Sequence, residues 1–347
     1  MTITITWKRV VAAVVAGIAA VLLVSLSGVI NLAATSGHWP ITTWFLHWTM
    51  QNSVRTYAAF GTPDKVIDET GMVSAAGHFA QSCVACHGAP GVKPLPVMQA
   101  ATPHAPNLAT IDGKYTDAEL FRILDHGIKY TGMPAWGARH REDEVRRMVA
   151  FVRAMPRMTP AQYRGLTAID PAGADVAARC IGCHGADGRG RNGPDIPILG
   201  GQQAAYLRGS LIRYHNGARA SGVMQQAAAT LDPRQMATLA DRFAAMPGLT
   251  RGGGVAPGDR SMAATIVRDG LPREQLPACQ SCHDPAGAKP YPVLRGQKAS
   301  YIAQRLRNWR GPEGVVDARL SHDTMPVIAR RIPEDQIDAV AKLLAGR

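Results

Sequence analysis

The chain has 347 residues, 46% of them hydrophobic and only 6% aromatic, and carries a net charge of +12. That length suits two or three ordinary domains, and the apolar share is enough for packed cores. The positive charge fits an anionic surface or an acidic partner, but no run of Lys and Arg exceeds two residues and no nucleic-acid motif is present, so nucleic acid is not an expected partner. The aromatic shortage fits either a large apolar cofactor filling core volume or an Ala-rich helical protein.

In chain order, Lys8 and Arg9 come first and are followed by an uncharged run of 21 residues from Val10 to Ile30. As a helix that run is about 31 Å long, which matches a bilayer hydrocarbon core of about 30 Å. Positive charge before the span puts the N-terminus in the cytoplasm and the remainder outside. Residues 1–36 are therefore expected to be a cytoplasmic N-terminus and transmembrane anchor. A cleaved signal peptide is the competing reading, with Ser25-Leu26-Ser27 as its candidate cleavage site, although its apolar region is ordinarily shorter. Residues 37–70 hold Trp39, Trp44 and Trp48, half of the six tryptophans. Trp44 and Trp48 share a helix face at i,i+4. The segment is expected to lie on the outer leaflet or to dock another membrane subunit.

The six cysteines fall in three pairs, each followed by histidine: Cys83-Val84-Ala85-Cys86-His87, Cys180-Ile181-Gly182-Cys183-His184 and Cys279-Gln280-Ser281-Cys282-His283. The first cysteines are spaced by 97 and 99 residues, a repeat of one small domain each. A disulfide scaffold has no need of the histidine, and zinc knuckles require a second ligand pair at finger spacing, which does not follow. Covalent haem needs this pattern: two thiols add across the two vinyl groups, and the adjacent His reaches the iron on one ring face. Three covalently bound haem c groups are expected, attached through Cys83, Cys86, Cys180, Cys183, Cys279 and Cys282, with His87, His184 and His283 as axial ligands. Such assembly also fits a location outside the cytoplasm.

The sixth iron ligand must come from downstream of each pair. In residues 71–158, Thr116 and Glu119 mark a capping box for a helix to about His126 that Gly127 stops. Met133 then follows in Thr131-Gly132-Met133-Pro134-Ala135-Trp136. A further helix runs from Glu142 to Met155 on the apolar spacing of Val145, Met148, Val149 and Val152. In residues 159–250, helices are expected from Gln202 to Asn216 and from Pro233 onward, with Met224 as the candidate ligand. Met236 and Met246 compete but sit on or at the end of a helix, where core packing is their expected role. In residues 251–347, helices are expected from Gln297 to about Arg310 and from Pro333 to Leu344, and Met325 precedes Pro326. The Met-Pro pairs suit a loop that stays out of helix and holds the thioether toward the iron. Linkers are expected near Pro156–Pro171 and Gly248–Gly258. Eight further histidines, among them His78 and His322, are read as surface residues or neighbours of the haems, with a bis-His site at any one of them as the alternative.

With these motifs placed, the soluble part resembles class I cytochromes c throughout. From about Asp170 to Leu344 it resembles the diheme cytochrome c4 family: Gly201-Gln202-Gln203-Ala204-Ala205-Tyr206-Leu207 repeats as Gly296-Gln297-Lys298-Ala299-Ser300-Tyr301-Ile302, and Pro197-Ile198-Leu199 as Pro292-Val293-Leu294. That resemblance implies that the carbonyls of Pro197 and Pro292 accept hydrogen bonds from the axial imidazoles, with Pro106 serving the first haem. The implied fold is all-α, an N-terminal transmembrane helix followed by three tandem class I cytochrome c domains. A match to the triheme subunits of membrane alcohol and gluconate dehydrogenases is weaker.

His/Met ligation raises haem potential and leaves no open coordination position, which favours electron transfer and no catalytic residues. The expected role is an electron carrier on the periplasmic side of a bacterial inner membrane. It takes electrons from a quinol-oxidising complex or dehydrogenase and passes them to a terminal oxidase or a soluble carrier. The alternative is a cytochrome subunit of a larger membrane respiratory complex. A haem peroxidase or sensor would require one iron without methionine.

Overall fold

The computed structural model describes residues 6–33, 36–110, 113–167, 176–191, 193–250, 255–283, 291–311 and 324–346. Within them the regular structure is helical, apart from two isolated bridges, Ala89 with Val92 and Leu271 with Leu276. Residues 168–171 and 251–254 of the expected linkers, and His322, lie outside the described residues.

The first helix, α1 (Trp7–Leu26), has 20 residues and buries none of them. It ends four residues before the uncharged run does, because Gly28 turns into the left-handed region at φ +70°. At about 1.5 Å per residue it is still long enough to cross a bilayer. Pro40 starts α2 (Pro40–Gly61) at a first-turn position where its missing N–H costs nothing. The two halves of α2 differ. Trp44, Phe45, Leu46 and Trp48 of its first half are exposed, with the Trp44 and Trp48 rings stacked at 6.1 Å. Its second half buries Val54 and Ala58. There Arg55 lies 3.7 Å from Glu119, and the Arg122 guanidinium sits over the Tyr57 ring. The tryptophan segment is thus built onto the next helical unit.

That unit contains α3 (Met72–Ser82), α4 (Val84–His87), α5 (Pro96–Gln99), α6 (Asp117–His126), α7 (Glu142–Ala154) and α8 (Pro160–Thr167). The expected capping box opens α6: Thr116 Oγ1 accepts from Glu119 N at 3.2 Å, and Glu119 accepts from Thr116 N at 2.7 Å. The apolar stripe of α7 packs Val145, Met148 and Val149 with Phe79, Phe121, Phe151 and Met155 in one buried cluster. Each such side chain contributes about 1.5–3 kcal/mol by leaving water.

A second cluster is formed by α9 (Ala177–His184), α10 (Ala204–His215), α11 (Gly222–Ala228) and α12 (Pro233–Ala244), around Leu207, Met236, Leu239 and Phe243. Asp232 caps α12 in a box with Gln235. The third comprises α13 (Met262–Arg268), α14 (Gln280–His283), α15 (Ala299–Trp309), α16 (Thr324–Arg331) and α17 (Ile337–Ala345), around Ile266, Leu276, Leu306, Ile332 and Val340. Both α10 and α15 begin two residues after the expected start, since Gln202 and Gln297 are committed to other contacts. The last expected helix opens as a single 3₁₀ turn, Glu334–Gln336, before α17.

Candidate haem sites

Each Cys-x-x-Cys-His segment occupies one helical turn at the end of α4, α9 or α14. The turn closes through the His87 N–H on the Cys83 carbonyl and the His283 N–H on the Cys279 carbonyl, each at 3.0 Å. Residues three and four apart share a helix face, so each turn groups two thiols and an imidazole. All six cysteines are free of disulfides. Burial pushes the Cys83 thiol up to about 12 and those of Cys183 and Cys279 to about 11.

The imidazoles are held in one manner at all three turns. His87 Nδ1 lies 2.8 Å from the Pro106 carbonyl, His184 Nδ1 3.3 Å from that of Pro197, and His283 Nδ1 3.0 Å from that of Pro292. A carbonyl accepts and never donates, so Nδ1 carries the proton and Nε2 keeps its lone pair. Burial lowers the pKa of all three rings, that of His184 to about 4. A neutral, oriented imidazole is the form that binds a metal.

The candidate methionines sit in three different settings. Met133 lies in a non-helical loop, its N–H donating to Thr131 Oγ1 at 3.1 Å, and packs with Cys83 against the first cluster. Gly127 allows that loop to approach: it has φ +65°, and a Cβ there would lie 2.6 Å from the Met133 carbonyl oxygen. Met325 packs with Cys279 against the third cluster but is the second residue of α16. The expectation that Met-Pro stays out of helix fails here, because Pro326 occupies the first turn, where its missing N–H removes no hydrogen bond. Met224 is the third residue of α11, whose N-cap Ser221 accepts from Met224 N at 3.1 Å. It is half-buried, on a helix that packs against α3 of the first unit. Met236 is buried in the second cluster and Met246 packs against it.

Haem would add three things to these turns: two vinyl carbons for the thiols, an iron for Nε2 and a thioether, and two carboxylates that accept hydrogen bonds. The residues fit. Buried donors with no hydrogen-bond partner among the described residues lie on α15, at Asn308 Nδ2 and Trp309 Nε1, with the Arg305 guanidinium 4.6 Å over the Trp309 ring. Among the described residues, no three His, Cys, Asp or Glu side chains converge as a metal-ion cluster, unlike a zinc knuckle.

Two features escaped the sequence reading. Gln202 and Gln297 were visible as a repeated motif without a role; each reaches the other unit's proline loop. Glu144 carried no local signal at all, yet it joins the Met133 loop to α11.

Residues 72–152 match the family described as cytochrome c oxidase, cbb3-type, subunit III. The chain is similar to a thiosulfate dehydrogenase electron acceptor of Stutzerimonas stutzeri, 34% identical over 50% of this chain and 82% of the relative. It is also similar to cytochrome c4 of Pseudomonas aeruginosa, 31% identical over 52% of this chain and 93% of the relative. Among solved structures, cytochrome c4 of Acidithiobacillus ferrooxidans aligns with a TM-score of 0.41 and 32% identity, over 48% of this chain and 98% of that one.

Proposed function

From the premise that the chain belongs to the c-type cytochromes and includes a cytochrome c4-like diheme region, we propose that it is a membrane-anchored, periplasmic triheme electron carrier. Three tandem class I domains, residues 71–158, 159–250 and 251–347, follow the anchor of residues 1–36 and the tryptophan segment of residues 37–70. The observation that carries this reading is the threefold recurrence of one arrangement: a Cys-x-x-Cys-His turn whose Nδ1 meets a proline carbonyl.

In this reading Cys83 with Cys86, Cys180 with Cys183, and Cys279 with Cys282 hold the haems. His87 and Met133, His184 and Met224, and His283 and Met325 are the axial pairs. Bound haem supplies a one-electron couple at positive potential when its ligands are His and Met. Pro106, Pro197 and Pro292 fix the tautomer and ring orientation of the histidines. Held by both a histidine and a methionine, each iron would have no position left for a substrate.

The anchor is supported by the length and apolarity of α1. Electrons enter from a quinol-oxidising complex or a dehydrogenase and leave to a terminal oxidase or a soluble carrier. The S. stutzeri relative is named as an electron acceptor of thiosulfate dehydrogenase, which favours a periplasmic dehydrogenase as the donor class. A second reading, a cytochrome subunit of a larger membrane complex, is favoured by the exposed Trp44, Phe45 and Trp48 on α2. Intact mass of the purified protein, with haem quantified per chain, tests the main reading. Three haems attached to an uncleaved chain agree with it; one or two haems per chain overturn it. Co-purification of a stoichiometric partner in mild detergent decides for the second.

A further inference from the structure

Among their contacts, the first and second units share a buried carboxylate. Glu144, in the first turn of α7, is 6% exposed, and both of its oxygens are taken. Oε2 accepts from Trp136 Nε1 at 3.0 Å and from the Gly222 N–H at 2.8 Å. Oε1 accepts from Ser221 Oγ at 2.6 Å and meets the Arg141 guanidinium at 3.0 Å. Arg141 also donates to the Ala220 carbonyl at 2.7 Å.

These donors are not scattered. Trp136 is the third residue after Met133 in the same loop. Ser221 is the N-cap of α11, and its hydroxyl also accepts from Met224 N. Gly222 leaves room for the indole, since a Cβ there would sit 2.5 Å from Trp136 Nε1. On its other face the Trp136 ring lies against His78 of α3, with centroids 4.6 Å apart. One residue thus grips the two segments that carry the first and second candidate sixth ligands.

We propose that Glu144 is a positioning residue that locks the Met133 loop to α11, making the first two haem sites one rigid electron-transfer pair. The inference rests on the functional reading above, in which Met133 and Met224 are axial ligands. A negative charge at this junction would favour the oxidised, more positive state of iron held by Met133 or Met224, and its hydrogen bonds join the two segments that carry them. Glutamine keeps the shape but offers one acceptor oxygen for two; the charged Arg141 guanidinium holds that oxygen, so the Trp136 and Gly222 pair is lost.

The test uses the full-length holoprotein in detergent, with the third haem as internal reference. In Glu144→Gln, the electron-partition ratio between the first two haems and the third shifts at least tenfold toward the first two, about 59 mV for a one-electron couple. Hydrogen exchange at the Gly222 N–H also accelerates at least tenfold. Gly222→Ala keeps the charge but drives the indole away; there, exchange at the Trp136 indole N–H accelerates tenfold. If Glu144→Gln only lowers the melting temperature, with unchanged partition, Glu144 is a structural residue and the proposal is overturned. Unchanged indole exchange in Gly222→Ala also overturns it, and that variant decides alone should Glu144→Gln not fold. A wild-type spectrum without methionine-ligated iron refutes the functional reading instead, a distinct result.

Discussion

Gln202 and Gln297 exchange contacts across the second and third units. Gln202 Nε2 donates to the Val293 carbonyl at 3.1 Å, and its Oε1 accepts from Val293 N at 2.9 Å. Gln297 does the same to Ile198, at 3.0 and 2.9 Å. Val293 follows Pro292 and Ile198 follows Pro197, so each glutamine holds the proline loop that orients the other unit's histidine. Both glutamines are buried. Truncation of either to alanine leaves a backbone N–H and a carbonyl without their partner, buried at Val293 and half-buried at Ile198, and costs about 1–3 kcal/mol. The effect crosses over: Gln297→Ala perturbs the proposed haem site at His184, and Gln202→Ala the one at His283. Thermal unfolding together with haem-resolved potentials checks both parts.

Methionine variants separate ligands from core. Met133→Ala keeps the covalently attached haem, opens one iron to carbon monoxide and lowers that site's potential, since the thioether raises it. Met236→Ala instead empties a buried position in the second cluster. It costs about 2–5 kcal/mol of stability, with an unchanged haem spectrum. Carbon monoxide difference spectra and denaturant melts distinguish the two outcomes.

Acid should destabilise the fold, and the sign follows from a buried imidazole that is not among the proposed iron ligands. Burial holds His78 below the ordinary 6.5. Below 6.5 the unfolded chain therefore binds more protons at that ring, so stability rises with pH there and falls as pH drops from 6.5. A second loss begins only at lower pH. Asp143 takes hydrogen bonds from Arg141, Arg147 and Gln304, and the guanidinium groups hold its carboxyl well below the usual range. Melting temperature measured from pH 8 to pH 3 should therefore be flat above about 6.5 and fall below it.

Removal of residues 1–36 should leave the helical units folded and no longer spanning a bilayer, because α1 buries no residue against the rest. Fractionation of cells expressing the full and shortened chains behind a cleavable leader checks this. The full chain is expected to stay in the membrane through an alkaline wash, and the shortened one, left with only the exposed Trp39, Trp44 and Trp48 to hold it there, to be released.

Much of the local architecture was legible in the sequence. Thr116 with Glu119, Asp232 with Pro233, and Gly127 and Gly217 are signals confined to a few residues, and the helices start and stop beside them. The end of α1 was misjudged because hydropathy continues through Val29 and Ile30 while Gly28 sets the backbone. The setting of Met325 was misjudged because Pro326 can begin a helix as readily as bar one. Glu144 and the two glutamines were illegible for a different reason. Their partners in the neighbouring unit lie 77 to 99 residues away in sequence, and no local periodicity encodes a meeting between units.

The most direct test is a potentiometric titration of the purified full-length protein, followed by its optical spectrum. The account predicts three one-electron steps, mostly at positive potential, from low-spin haems that show the methionine–iron charge-transfer band when oxidised. A high-spin spectrum at low potential in all three haems would contradict it.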